Sequence, residues 1–167
     1  MTKAVVLYNS KGGNTKKVAD KIAEGLEADI FDNKKIPDLS AYSLVVVGSW
    51  MMAGMISFAG SRYLKKLKKK GIEGKKVAMF YTGGEPEDIH WKDKEQGVEN
   101  PRLLHEIMFS KMEAILTKVK QVTILEERFY CKGAVRMGGE IKSNEGCPTE
   151  EDLERAKEFG IKLKNLL

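Results

Sequence analysis

Ala4-Val5-Val6-Leu7-Tyr8-Asn9-Ser10-Lys11-Gly12-Gly13-Asn14-Thr15 decides the fold class. Its first five residues are an unbroken apolar run, too short for a core helix and suited to a strand buried on both faces. Its last six are polar and glycine-rich, as a tight turn requires. Asn14 to Glu27 then spaces Val18, Ile22 and Leu26 four apart, with Ala19 and Ala23 beside them, which is one face of a helix. A buried strand, a glycine turn and an amphipathic helix make the opening of an alternating α/β chain.

The same alternation continues. Ala28 to Asp32 is a weakly marked second strand, Ser43 to Ser49 a third, Lys76 to Thr82 a fourth and Gln121 to Cys131 a fifth. Phe58 to Lys70 reads as a helix with Phe58, Tyr63, Leu64 and Leu67 facing the core and lysines outside. Asn100-Pro101 marks another helix start, with Asn as cap and Pro at the first helical position, carried on by Leu104, Met108, Met112, Ile115 and Val119. Thr149 caps a last helix whose first turn holds Glu150, Glu151 and Asp152, and whose buried face is Leu153, Ala156, Phe159 and Leu163. Strands alternating with helices predict one parallel sheet with helices on both faces, in a single domain over 1–167. Ligands of such sheets sit beyond the carboxyl ends of the strands.

Three turns stand at those ends. Ser10, Lys11, Gly12, Gly13, Asn14 and Thr15 offer free backbone N–H groups and hydroxyl or amide donors at a helix start, suited to a phosphate. The plain alternative is a glycine turn capped by Asn14 or Thr15. Gly48 and then Ser49, Trp50, Met51, Met52, Ala53 and Gly54 place a tryptophan and two methionines directly after a buried strand. Such side chains pack well on a planar ring, or fold back on a neighbouring helix. Thr82, Gly83, Gly84 and Glu85 expose backbone groups able to reach the polar edge of a ring, or merely end a strand.

Composition bounds the remaining choices. The 167 residues are 42% hydrophobic and 32% charged, as in soluble globular domains. Cys131 and Cys147, with only His90 and His105 to join them, match no disulfide framework and no zinc spacing. Cys131 reads as a core residue, and Cys147, beside a helix start, as structural. No apolar stretch approaches the roughly 20 residues of a membrane span, and the opening run is short for a signal peptide, so a cytoplasmic location is expected. The net charge of +5 is polarised: Arg62 to Lys76 is strongly basic and Glu85 to Glu99 acidic. No aromatic interleaving accompanies the lysines, so no nucleic-acid partner is expected and a solvated helix face is the preferred reading.

Ser10-Lys-Gly-Gly-Asn-Thr15 resembles the phosphate loop of flavodoxins. Gly48 to Gly54 resembles their first flavin loop, Phe80 to Gly84 their second, and Cys147 to Phe159 the opening of their last helix. The resemblance implies a flavodoxin-like three-layer α/β sandwich, with a five-stranded parallel sheet of order 2-1-3-4-5 and FMN as cofactor. It implies an electron carrier serving redox protein partners, favoured as a monomer. The alternatives are an FMN-dependent small-molecule oxidoreductase, of quinone reductase or protoporphyrinogen oxidase type, and a fold that has lost its flavin. Gly12 stands where the family usually has Thr, which removes one phosphate hydroxyl. Trp50 stands at the usual Pro position, and Met52 near a usual stacking aromatic. His90 or Trp91, in the long 85–100 connection, is a candidate cover for the other flavin face, and the acids there are expected to lie nearer the flavin than the lysine helix does.

Overall fold

The computed structural model describes residues 3–167; Met1 and Thr2 of the opening run lie outside the described residues. The central sheet contains β1 (Ala4–Tyr8), β2 (Asp29–Asp32), β3 (Leu44–Met52), β5 (Lys76–Gly83) and β6 (Thr123–Lys132), all parallel, in the order β2-β1-β3-β5-β6. A short β4 (Met55–Ile56) turns back on the end of β3. Counting the parallel strands alone, the order is 2-1-3-4-5. A separate two-stranded ribbon, β7 (Val135–Met137) with β8 (Glu140–Ser143), follows β6.

The sheet is covered on both faces because its central strands carry continuous apolar runs, Ala4–Tyr8, Leu44–Val47 and Val77–Tyr81. Val5, Val6 and Leu7, and Val45, Val46 and Val47, are fully buried. Each such side chain contributes roughly 1.5–3 kcal/mol of transfer free energy. Even-numbered positions pack with α1 (Asn14–Leu26) and α5 (Glu150–Lys164); odd-numbered ones pack with α2 (Phe58–Lys66) and α4 (Leu104–Leu116). Helices α1 and α5 approach closely through two glycines. A Cβ on Gly25 would strike the Lys157 carbonyl oxygen, and one on Gly160 the Ile22 carbonyl oxygen.

Several elements differ from the sequence reading. Phe58 is 91% exposed and does not join the core. Ser57 caps α2 by accepting from Gly60 N, and the sheet-facing positions are Gly60, Tyr63, Leu64 and Leu67. Phe58 lies two residues, or 200° of helix, from Gly60. The helix ends at Lys66 and continues as a 3-10 turn, Leu67–Lys70. Asn100-Pro101 does not start α4. That helix begins three residues later, where the Glu106 carboxylate accepts from Leu103 N at 2.7 Å. Arg102 is held back by Asp93, which accepts from its backbone N and from its guanidinium at 2.7–2.9 Å. Thr149 caps α5 as expected, accepting from Asp152 N at 3.1 Å. No helix among the described residues is long and apolar enough to cross a membrane.

Candidate functional site

A cleft of about 780 Å³ opens beyond the carboxyl ends of β1, β3 and β5, within the roughly 300–1,000 Å³ range of small-molecule sites. A shallower hollow at the opposite end of the sheet, beside Lys3, Lys75 and Lys76, touches none of the three turns. The cleft wall is built from four segments.

The first is the turn between β1 and α1. Ser10, Lys11, Gly12, Asn14 and Thr15 line the cleft. Gly13 is the residue that caps α1; its φ of 92° needs a residue without a side chain, and no side chain caps the helix. The first turn carries no acid either. Gly13 N donates to Ser10 Oγ at 3.1 Å, while the N–H groups of the first helical turn have no side-chain cap and would be satisfied by an anion in the cleft. Two of the expected donors are engaged. Asn14 Nδ2 donates to Ala134 O at 2.9 Å, and the Thr15 and Thr82 hydroxyls bond each other at 2.9 Å in a fully buried pair. That pair has two protons and spends one, so one hydroxyl proton remains for a ligand.

The second segment is a hairpin, where the sequence read only a loop. β3 runs on to Met52, Ala53 and Gly54 form a two-residue turn with φ of 51° and 72°, and Met55 pairs with Met52. Two positive φ values are the type I′ signature. Trp50, Met51, Met52, Ala53 and Gly54 all line the cleft, with Trp50 half-buried and Met52 exposed. Lys111 of α4 donates to Gly54 O at 2.6 Å and holds the turn in place. Ser49 does not reach the cleft; it is fully buried at 3.5 Å from Asn9 Nδ2.

The third segment is the end of β5. Thr82, Gly83, Gly84 and Glu85 form the floor. Glu85 is paired with Lys132 at 2.8 Å, whose ammonium holds the carboxyl below the usual range.

The fourth segment was not read from the sequence. Gly133 to Gly139, at the root and first strand of the β7–β8 ribbon, lines the same cleft as Trp50 and Met52. The ribbon turns through Gly138 and Gly139, φ 60° and 83°, the same I′ geometry. Val-Arg-Met, Gly-Gly and Glu-Ile-Lys in series are a legible hairpin signal. Gly133 N donates to Gly83 O at 2.9 Å, and Asn144 Nδ2 to Gly84 O at 2.5 Å, so the root is tied to the floor.

The 85–100 connection turns away. Trp91 begins a short helix, α3 (Trp91–Glu95); it is 53% exposed and does not line the cleft. His90 is buried behind Gly54. Asp93 is held well below the usual carboxylate range by the Arg102 guanidinium, and Glu87 accepts from the Tyr130 hydroxyl. Of these acids only Glu85 faces the cleft, against Lys11 and Arg136. Two of these acids are thus paired with cations from outside the stretch, Glu85 with Lys132 and Asp93 with Arg102. Lys68 to Lys76 lies at the other end of the sheet, where Leu39 N donates to Lys70 O and Lys76 starts β5.

An uncapped helix start, two hairpins lining one cleft and a glycine floor fit a flat ring carrying a phosphate. A model of the flavodoxin domain matches residues 5–160. The chain belongs to the flavodoxin family. It is 33% identical over 165 residues to an uncharacterized protein of Methanocaldococcus jannaschii, covering 94% of this chain and 95% of that one. It is 28% identical over 164 residues to the flavodoxin-like domain-containing protein BilS of Clostridioides difficile, covering 93% and 80%. Its fold superposes on oxidised flavodoxin 2 of Bacillus cereus with a TM-score of 0.66 at 21% identity, covering 99% and 100%. Cys131, expected in the core, is buried, and burial pushes its thiol up to about 12.

Proposed function

We propose that this flavodoxin-family chain binds FMN and carries electrons to or from protein partners. The observation that carries the reading is the uncapped, acid-free start of α1 beside a cleft lined by Trp50, Met52, Val135 and Met137. The loop of residues 10–15 would hold the phosphate, the two hairpins would cover the ring faces, and Thr82 to Glu85 would meet its edge. FMN supplies the redox chemistry when bound. The protein excludes water from the ring faces and sets the field around it. No side chain at the cleft has the arrangement of a nucleophile with a base.

Electron exchange with proteins is favoured by the mouth of the cleft. Met52 and Met137 line it and are about 60% exposed, with exposed Met55 on the paired strand. Exposed apolar groups of this size around a site mark a contact surface. Lys11 and Arg136 give the mouth a positive bias that suits an acidic partner. A cytoplasmic location follows from the same reading. Reduction of the FMN-loaded protein by flavoprotein reductases, compared with turnover of quinones, tests the proposal. Fast, salt-sensitive exchange with proteins supports it. Steady-state turnover of quinones without protein exchange makes the chain an enzyme instead.

A further inference from the structure

The β7–β8 ribbon touches the rest of the molecule mainly at its root. Asn14 and Asn144 clamp it there, from α1 and from the far end of the ribbon itself. Beyond the root its residues are largely exposed, Arg136 among them, and Arg136 lines the cleft on the side of the first turn. The Arg136 Cδ lies 3.9 Å from the point a Cβ on Gly12 would occupy. Arg136 thus lies over the one position of the first turn that has lost a hydroxyl side chain. Its neighbours leave its charge free. Glu140 is paired with Lys142 and Glu85 with Lys132, both at 2.8 Å, and among the described residues Arg136 has no acid partner.

We infer that Arg136 is a ligand for the phosphate of the bound flavin, delivered by the ribbon to the space over Gly12. The inference rests on the FMN reading above. A guanidinium presents a planar fork that matches phosphate oxygens, and its bonds to an anion are stronger than neutral ones. The N–H groups of the first turn approach from the helix side; Arg136 approaches from the ribbon side. A side chain at position 12 would meet the Arg136 stem only in ordinary contact, so the Arg136 contribution does not depend on the residue at 12. Discrimination between phosphorylated and unphosphorylated flavin is thereby shared between the loop and the ribbon.

Fluorescence titration of the flavin-free protein with FMN and with riboflavin tests this in five proteins: the parent, Arg136→Ala, Arg136→Lys, Gly12→Thr and the Gly12→Thr/Arg136→Ala pair. Arg136→Ala should weaken FMN roughly 10- to 100-fold, the loss of a hydrogen bond to a charged group, and leave riboflavin essentially unchanged. Arg136→Lys should recover part of the FMN affinity at low salt. Arg136→Ala should cost FMN a similar factor in the Gly12→Thr background, because a side chain at 12 leaves the Arg136 stem in ordinary contact. Equal losses for FMN and riboflavin in Arg136→Ala would show that Arg136 only packs the ribbon, and would overturn the inference. If the parent binds neither flavin, the FMN reading fails and the inference with it. If the parent binds FMN and Arg136→Ala binds it as tightly, the inference alone fails.

Discussion

The buried pair Thr15–Thr82 joins the phosphate turn to the floor of the cleft, and its two halves should separate cleanly on substitution. The residues are 1% and 2% exposed and their hydroxyls are 2.9 Å apart. If Thr82 donates, the Thr15 proton is left for the ligand. Thr82→Val keeps the shape and strands the Thr15 oxygen, which should cost about 1–3 kcal/mol of stability in the flavin-free protein. Thr15→Val should cost a similar amount by stranding Thr82. The double variant removes both polar atoms and should cost about 1–2 kcal/mol less than the two singles combined. Affinity should divide differently. Thr15→Val should weaken FMN by about 1.5–3 kcal/mol, the value of a bond to a charged oxygen, and spare riboflavin. Thr82→Val should weaken FMN by less than about 1 kcal/mol, because the Thr15 hydroxyl survives. Urea unfolding gives the first set of numbers and fluorescence titration the second. Strict additivity in stability would refute the hydroxyl pair. Equal FMN losses in the two singles would refute the assignment of Thr15 as the donor.

Three further outcomes follow from the same geometry. Gly25→Ala raises helix propensity by about 1 kcal/mol, yet it should lower the urea midpoint, because the new methyl is driven into the α5 backbone at Lys157. Trp50→Ala should weaken flavin binding by about 1–3 kcal/mol, on the scale of ring-on-ring stacking, whereas Trp91→Ala should leave it unchanged; titration of both variants checks the placement of the two tryptophans. Glu24 is bonded by Lys157 of α5 and by Lys21, which lower its pKa from the ordinary 4.5 to about 2. A depressed folded-state pKa stabilises the fold above the ordinary value, and that contribution is lost as pH falls toward the folded one. The parent should therefore be more stable than Glu24→Gln above about pH 5, with the difference shrinking to nothing near pH 2 in acid unfolding curves.

Much of the fold was legible because its decisive features are local. The run Ala4 to Tyr8, the glycine turn and the spacing of α1 each carry their own signal, and Thr149 with Asp152 announces α5 in four residues. The first turn and the floor were found for the same reason. What escaped notice depends on tertiary pairing. β3 continues through Trp50 to Met52 because β5 pairs alongside as far as Gly83 and β4 folds back, neither of which the run of residues 48–54 reveals alone. The β7–β8 ribbon has a readable Gly-Gly turn between alternating strands, but those strands are only three and four residues long, too short to stand out from a loop. Trp91 was placed at the ring by adjacency to Glu85 in the chain. The structure takes the chain away after Glu85, with Asp93 and Arg102 pinning the connection beside α4. Phe58 misled through composition, since the helix face that meets the sheet is set by Gly60, which a hydrophobicity count does not register.

The account turns on a phosphate-bearing flavin in the cleft between the two hairpins. The most direct measurement is the visible spectrum of the purified protein after incubation with FMN, FAD and riboflavin and removal of excess ligand, followed by acid release and chromatography of what stays bound. The account predicts a flavin spectrum perturbed by Trp50 and one FMN recovered per chain, with riboflavin retained more weakly. Recovery of FAD in preference to FMN, or a colourless protein after every incubation, would contradict it.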